Sequence, residues 1–72
     1  MIDIKAHITG TLWKITAEVG DELDEEDVVM ILESMKMEMP VEAPVDGTLT
    51  EILVKENDSI QEGQVVARMT ED

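Results

Sequence analysis

The feature that most constrains this chain is an internal repeat. Shifted by 37 positions, Gly10-Thr11-Leu12 falls on Gly47-Thr48-Leu49, Ile15 on Ile52, Asp21 on Asp58, Glu25 on Glu62, and Val28-Val29 on Val65-Val66. That makes 8 identities among the 23 positions from 10 to 32, and Ala17/Val54 and Leu23/Ile60 are similar. Both copies run through the same order: glycine, long apolar stretch, turn with Asp, lone apolar residue, acidic turn, apolar stretch. A repeated unit that cannot bury its apolar face alone buries it against its copy. The simplest arrangement has a pseudo-two-fold axis.

The periodicity within each copy is that of strands. Ile2, Ile4, Ala6 and Ile8 alternate with polar residues and share one face. Leu12 to Ala17 and Leu49 to Val54 read as strands, with Ile52 and Val54 on one face of the latter. Leu23 and Ile60 mark very short ones. Val28-Val29-Met30-Ile31-Leu32 is a continuous, β-branched apolar run, read as a strand buried on both sides or close to it. Met37, Met39 and Val41 alternate with Glu38, Pro40 and Glu42, and Pro40 suggests an edge strand because it has no N–H to donate. No stretch of helical period is long enough to matter. The expected fold is all-β: a flattened barrel or sandwich of two small antiparallel sheets. It is one domain over residues 1–72, with repeat halves of about 2–35 and 37–72.

A domain this small buries only about 60% of its unfolded surface, so its stability is limited. There are no cysteines, so neither disulfides nor thiolate metal sites can add to the core. That usage is compatible with the cytoplasm, the expected location. No signal peptide and no membrane-crossing run is expected. The 18 acidic residues against 5 basic ones give a net charge of −13. Such a field makes nucleic acid and anionic membranes poor partners and keeps the chain soluble and monomeric. The acidic run Asp21 to Asp27 lacks the alternating ligands, glycine and closing glutamate of an EF-hand loop, and reads as a solvated turn. No metal site is expected. His7 reads as an edge-strand residue, and Trp13 as a partly exposed packing residue.

One stretch carries chemistry: Glu33-Ser34-Met35-Lys36-Met37-Glu38. Two strands bracket it closely enough for a tight hairpin, yet neither Asn-Gly nor Asp-Gly is present and the turn type is not readable. A turn without glycine costs strain, and strain concentrates at functional sites. A lysine there is ordinarily a solvated charge that discourages edge pairing. Methionines at 35 and 37 would be exposed and adaptable. The mate of Lys36 under the repeat would be position 73, beyond the 72 residues. The lysine loop therefore sits at one end of the pseudo-two-fold arrangement, with the two chain ends meeting at the corresponding place at the other.

The stretch resembles the attachment motif of biotinyl domains, in which a lysine between methionines receives biotin through an amide bond. The likeness covers essentially the whole chain. It includes Gly10-Thr11-Leu12-Trp13-Lys14-Ile15, Val19-Gly20-Asp21, Ala43-Pro44, Gly47-Thr48 and Gly63-Gln64-Val65-Val66. Within the biotinyl/lipoyl attachment family it is most similar to the stand-alone carrier type. Three departures stand out. Ser34 occupies a place where many members have alanine. Ala6-His7-Ile8-Thr9 replaces the usual Ser-Pro-Met segment before the first glycine. The glycine of the first acidic turn is Glu26 here, where the second copy keeps Gly63, so a positive φ at that turn would strain Glu26. No segment resembles the protruding thumb of some carboxyl carriers.

The resemblance implies a non-catalytic, swinging-arm carrier with biotin attached covalently at Lys36. Glu33, Ser34, Met35 and Met37 would form the surroundings read by a biotin protein ligase. A biotin carboxylase and a carboxyltransferase would be the other partners. Two other readings stay open. One is a lipoyl carrier on the same fold, or dual biotin and lipoate attachment, although lipoyl motifs usually have an acidic residue where Met35 stands. The other is an unmodified acidic interaction module.

Overall fold

A computed structural model describes residues 1–72. There are eight strands and no helix: β1 (Ile2–Lys5), β2 (Gly10–Ile15), β3 (Glu22–Leu23), β4 (Val28–Ser34), β5 (Met37–Glu42), β6 (Gly47–Ile52), β7 (Ser59–Ile60) and β8 (Val65–Glu71). They form two four-stranded antiparallel sheets, ordered β1-β8-β6-β3 and β5-β4-β2-β7. The 37-residue shift carries one order onto the other, strand for strand. Each sheet takes two strands from each half, so the halves interlock. The backbone repeats the exchange, since Leu12 N–H donates to Asp58 C=O and Leu49 N–H to Asp21 C=O, both at 2.9 Å.

The core follows the same symmetry. The 16 buried apolar residues form eight pairs under the shift: Ile4/Val41, Ala6/Ala43, Leu12/Leu49, Ala17/Val54, Leu23/Ile60, Val29/Val66, Met30/Ala67 and Leu32/Met69. No polar or charged residue is buried. Cohesion therefore comes from aliphatic burial, about 1.5–3 kcal/mol for each large side chain, and from the backbone ladders.

The turns are built from side chains that the repeat preserves. The carboxylate of Asp21 accepts from Glu18 N–H at 2.9 Å, and that of Asp58 from Lys55 N–H at 2.9 Å. In the acidic turns Asp27 accepts from Asp24 N–H at 2.8 Å, and Gln64 Oε1 accepts from Gln61 N–H at 3.0 Å. Four turn residues have left-handed backbone: Gly20 (φ 98°), Asn57 (77°), Glu26 (77°) and Gly63 (85°). Glu26 thus occupies, at a cost, the conformation that glycine occupies in the other copy.

Two readings from sequence change. The run Val28 to Leu32 is not buried on both sides, because Val28 is exposed and Ile31 only half-buried. The consecutive burial of Val29 and Met30 comes from a β-bulge: Val28 pairs with Glu42 and Met30 with Val41, so Val29 has no partner on β5. Such a bulge turns two successive side chains to one side. Its mate is at Val66, skipped between Val65 and Ala67 on β8. His7 lies beyond the end of β1, in a bend, and is not a strand residue.

Candidate functional site

The β4–β5 hairpin carries the candidate site. Its ladder runs Ile31↔Pro40, Leu32↔Met39, Glu33↔Glu38 and Ser34↔Met37, which leaves a two-residue loop, Met35-Lys36. Both loop residues have positive φ, 52° and 64°, the pattern of a type I′ turn. That turn matches the twist of a hairpin, but its usual residues are Asn and Gly. A non-glycine residue in the left-handed region costs roughly 1–2 kcal/mol. Two such residues in succession are a local concentration of strain.

Along β5 the side chains grade from solvent into the core: Met37 is 61% exposed, Met39 half-buried and Val41 buried. Met35 is 92% exposed, and Lys36 is exposed beside it. The ion pairs of the molecule involve only Arg68, with Asp3 and Glu51, so Lys36 holds no carboxylate. Glu33 and Glu38 face each other two rungs below the loop, two like charges with no cationic partner. Such a pair weakens the ladder.

The structure thus brings all five sequence-identified residues together at one tip: Glu33, Ser34, Met35, Lys36 and Met37. Ser34 is half-buried and the others are exposed. Gly10, in sequence simply the glycine ahead of a strand, belongs with them. A Cβ at Gly10 would stand 2.5 Å from the Glu33 carbonyl oxygen and 3.3 Å from Ser34 Cβ. Its bareness lets β2 close on the base of the hairpin. The signal was present, since Gly10 and Gly47 are repeat identities, and a Cβ at Gly47 would overlap the Thr70 carbonyl.

The tip has no cavity, and no His, Asp or Glu cluster could hold a metal ion. Asp21 and Asp27 of the acidic run spend carboxylate oxygens on their own turns. The arrangement can present a primary amine, free of ion pairs, on a fixed turn between two thioether side chains. A group joined to it through an amide would find no wall to clash with, so the residues present fit a covalently attached arm.

Comparison with known proteins agrees with this geometry. The chain is 37% identical over 67 residues to the biotin/lipoyl attachment protein of Bacillus subtilis, covering 93% of this chain and 92% of that one. The urea carboxylase structure from Kluyveromyces lactis superposes with a TM-score of 0.92 and 38% identity, over 96% of this chain but 6% of that one. The lipoyl domain of the Azotobacter vinelandii 2-oxoglutarate dehydrogenase complex superposes with a TM-score of 0.78 and 28% identity, over 99% of this chain and 98% of that one. The family model described as biotin-requiring enzyme, the biotin/lipoyl domain, matches residues 2–69, and the chain belongs to that family.

Proposed function

We propose that this chain is a biotin carboxyl carrier whose attachment residue is Lys36. The observation that carries the reading is the tip itself. Lys36 has no ionic partner, projects from a strained two-residue turn, and is flanked by two exposed methionines. The similarity to an attachment protein of nearly the same length supports it. The carrier itself catalyses nothing.

In this reading a biotin protein ligase presents biotin as its acyl adenylate. The Lys36 ammonium first gives up a proton, and its charge with it. Nζ then attacks the acyl carbon, an amide C–N bond forms, the acyl C–O bond to the phosphate breaks with AMP leaving on the bonding electron pair, and the nitrogen releases a second proton. Bound biotin supplies the group that carries CO2 from a biotin carboxylase to a carboxyltransferase. The chain's residues do the rest. The turn at Met35-Lys36 aims the amine outward. The bare α-carbon of Gly10 seats the base of the hairpin. The interlocked sheets hold the tip still, so the arm moves and the mount does not. Tethering raises the effective concentration of the carried group to roughly mM when the reach matches.

Lipoate is the second reading, favoured by the superposition on a lipoyl domain. Met35, where lipoyl motifs usually place an acidic residue, stands against it. Intact mass separates the readings. Incubation with biotin, ATP and a biotin protein ligase should add one biotinyl group, and Lys36→Arg should abolish the gain. A Lys36-dependent gain with a lipoate ligase and none with the biotin ligase would reverse the assignment. No gain with either, in folded protein, would leave only the interaction module.

A further inference from the structure

The outer faces of the two sheets are related by the pseudo-two-fold axis, yet their residues differ sharply. On the β1-β8-β6-β3 sheet the central outward rung is Asp3↔Arg68↔Glu51. Arg68 Nε donates to Asp3 at 3.1 Å and its Nη1 lies 3.7 Å from Glu51, so the rung is a closed ion-pair ladder. The matching rung on the hairpin sheet is Pro40↔Ile31↔Lys14. Beside it stands Trp13, the extra residue of a bulge between Leu12 and Lys14, 47% exposed. Its mate in the opposite sheet, at the corresponding bulge, is Thr50. One face therefore has its charges paired internally, and the other has two apolar residues, Pro40 and Ile31, beside an unpaired Lys14 and an exposed indole.

Charge at the rim differs as well. Toward the tip the next outward rung carries Glu33 and Glu38, with Thr11 on β2. On the other side of the apolar rung lie Val28 and Glu42. Three carboxylates thus border the apolar centre, and none of them has an ion-pair partner. The mate of Glu33 in the opposite sheet is Thr70, cross-strand from Thr48.

Resting on the carrier reading above, we propose that the outer face of the hairpin sheet docks a biotin protein ligase. Its centre is Trp13, Ile31 and Pro40, with Lys14 closing the rung on β2, and its rim on the β4–β5 side is Glu33, Glu38 and Glu42. The complementary ligase surface has an apolar seat for the indole and a basic border. Three points select this occupant. A second copy would bring the same three carboxylates, and another −13 of net charge, against the first. The ligase must reach Lys36 Nζ before any arm exists, so it has to sit against the hairpin, whereas later enzymes meet the end of the arm. The Ile31–Pro40 rung is three residues from Ser34, about 10 Å from the turn. One interface of ordinary size, about 800 Å² per partner, covers both tip and rung.

The experiment replaces this face by the residues that the same fold accepts on the other: Trp13→Thr, Lys14→Glu, Ile31→Arg and Pro40→Asp together. The reciprocal control is Arg68→Ile with Glu51→Lys. Biotin incorporation by a biotin protein ligase is followed against carrier concentration, with melting curves for each variant. KM should rise about tenfold or more in the fourfold variant, the usual size for losing an aromatic anchor. Its kcat should change little, and the control should stay within about twofold of the parent. The parent's KM should also rise with ionic strength. If the fourfold variant is unfolded, Trp13→Thr and Ile31→Arg singly carry the test, each with about a threefold rise. A KM unchanged from the parent overturns the inference, as does a parent dimer in sedimentation that these substitutions dissociate. If the parent itself takes up no biotin, it is the carrier reading that fails.

Discussion

Glu26 adopts a backbone conformation that suits glycine, and its mate in the other half of the molecule is a glycine, Gly63. The left-handed region costs a residue with a Cβ roughly 1–2 kcal/mol, while glycine loses about 0.4–1 kcal/mol through the greater freedom of the unfolded chain. The first term is the larger, so Glu26→Gly should stabilise the fold by about 0.5–1 kcal/mol. A shift of the urea midpoint at constant m-value is the measure. Gly63→Ala should do the reverse, through the backbone alone, because no atom lies within 4 Å of the Cβ it would add. Asn57 has a similar φ of 77°, but asparagine tolerates that region, so Asn57→Gly should gain nothing. If Asn57→Gly stabilises as much as Glu26→Gly, strain at Glu26 is not the cause. At this scale the repeat made much legible, since Glu26 against Gly63 is a mismatch within one chain. Asp27 and Gln64 were hidden from it, because a carboxylate and an amide share one hydrogen-bonding role without being identical.

The hairpin β4–β5 poses the same question for an element. Its tip has two non-glycine residues at positive φ, and like charges face each other two rungs below. Each feature weakens the hairpin, and on the carrier reading this turn gives up stability to present an amine. Replacing the tip by the residues that a type I′ turn prefers, Met35→Asn with Lys36→Gly, should raise stability by about 1–2 kcal/mol while removing the proposed acceptor. Thermal unfolding checks the first effect and intact mass after ligase treatment the second. A tip variant no more stable than the parent would show that the turn is relaxed as it stands. The location of the hairpin was readable from alternation and from the short gap between strands. Its turn type was not, because sequence signals for type I′ turns are the very residues that this tip lacks. The bulges at Trp13 and Val29 were equally hidden. A bulge adds one residue to one strand, and period-2 patterning then reads as a longer or doubly buried run.

Across the whole molecule the strongest imbalance is charge. The chain carries a net −13 on a body of 34 × 18 × 17 Å. At about 0.01 M salt the screening length is roughly 30 Å, so every carboxylate feels the others, whereas at about 1 M it is roughly 3 Å. The surface ion pairs of Arg68 weaken over that range, but exposed pairs contribute at most about 1 kcal/mol. Relief of the wider repulsion, including that between Glu33 and Glu38, should outweigh their loss. The melting temperature should therefore rise with sodium chloride, and Arg68→Ile should steepen the rise by removing the opposing contribution. A melting temperature that falls with salt would mean that the ion-pair ladder outweighs the net charge. The same field gives the proposed modification a readout that needs no ligand assay. Acylation of Lys36 removes one positive charge, taking the net from −13 to −14. A ligase-treated sample should move as a second, faster band on a native gel, while Lys36→Arg should give one band with or without ligase. Because Lys36 forms no ion pair, neutralising it breaks no contact in the fold. The two bands should then melt within about 1 kcal/mol of each other in stability, as expected of a mount that carries its arm without responding to it.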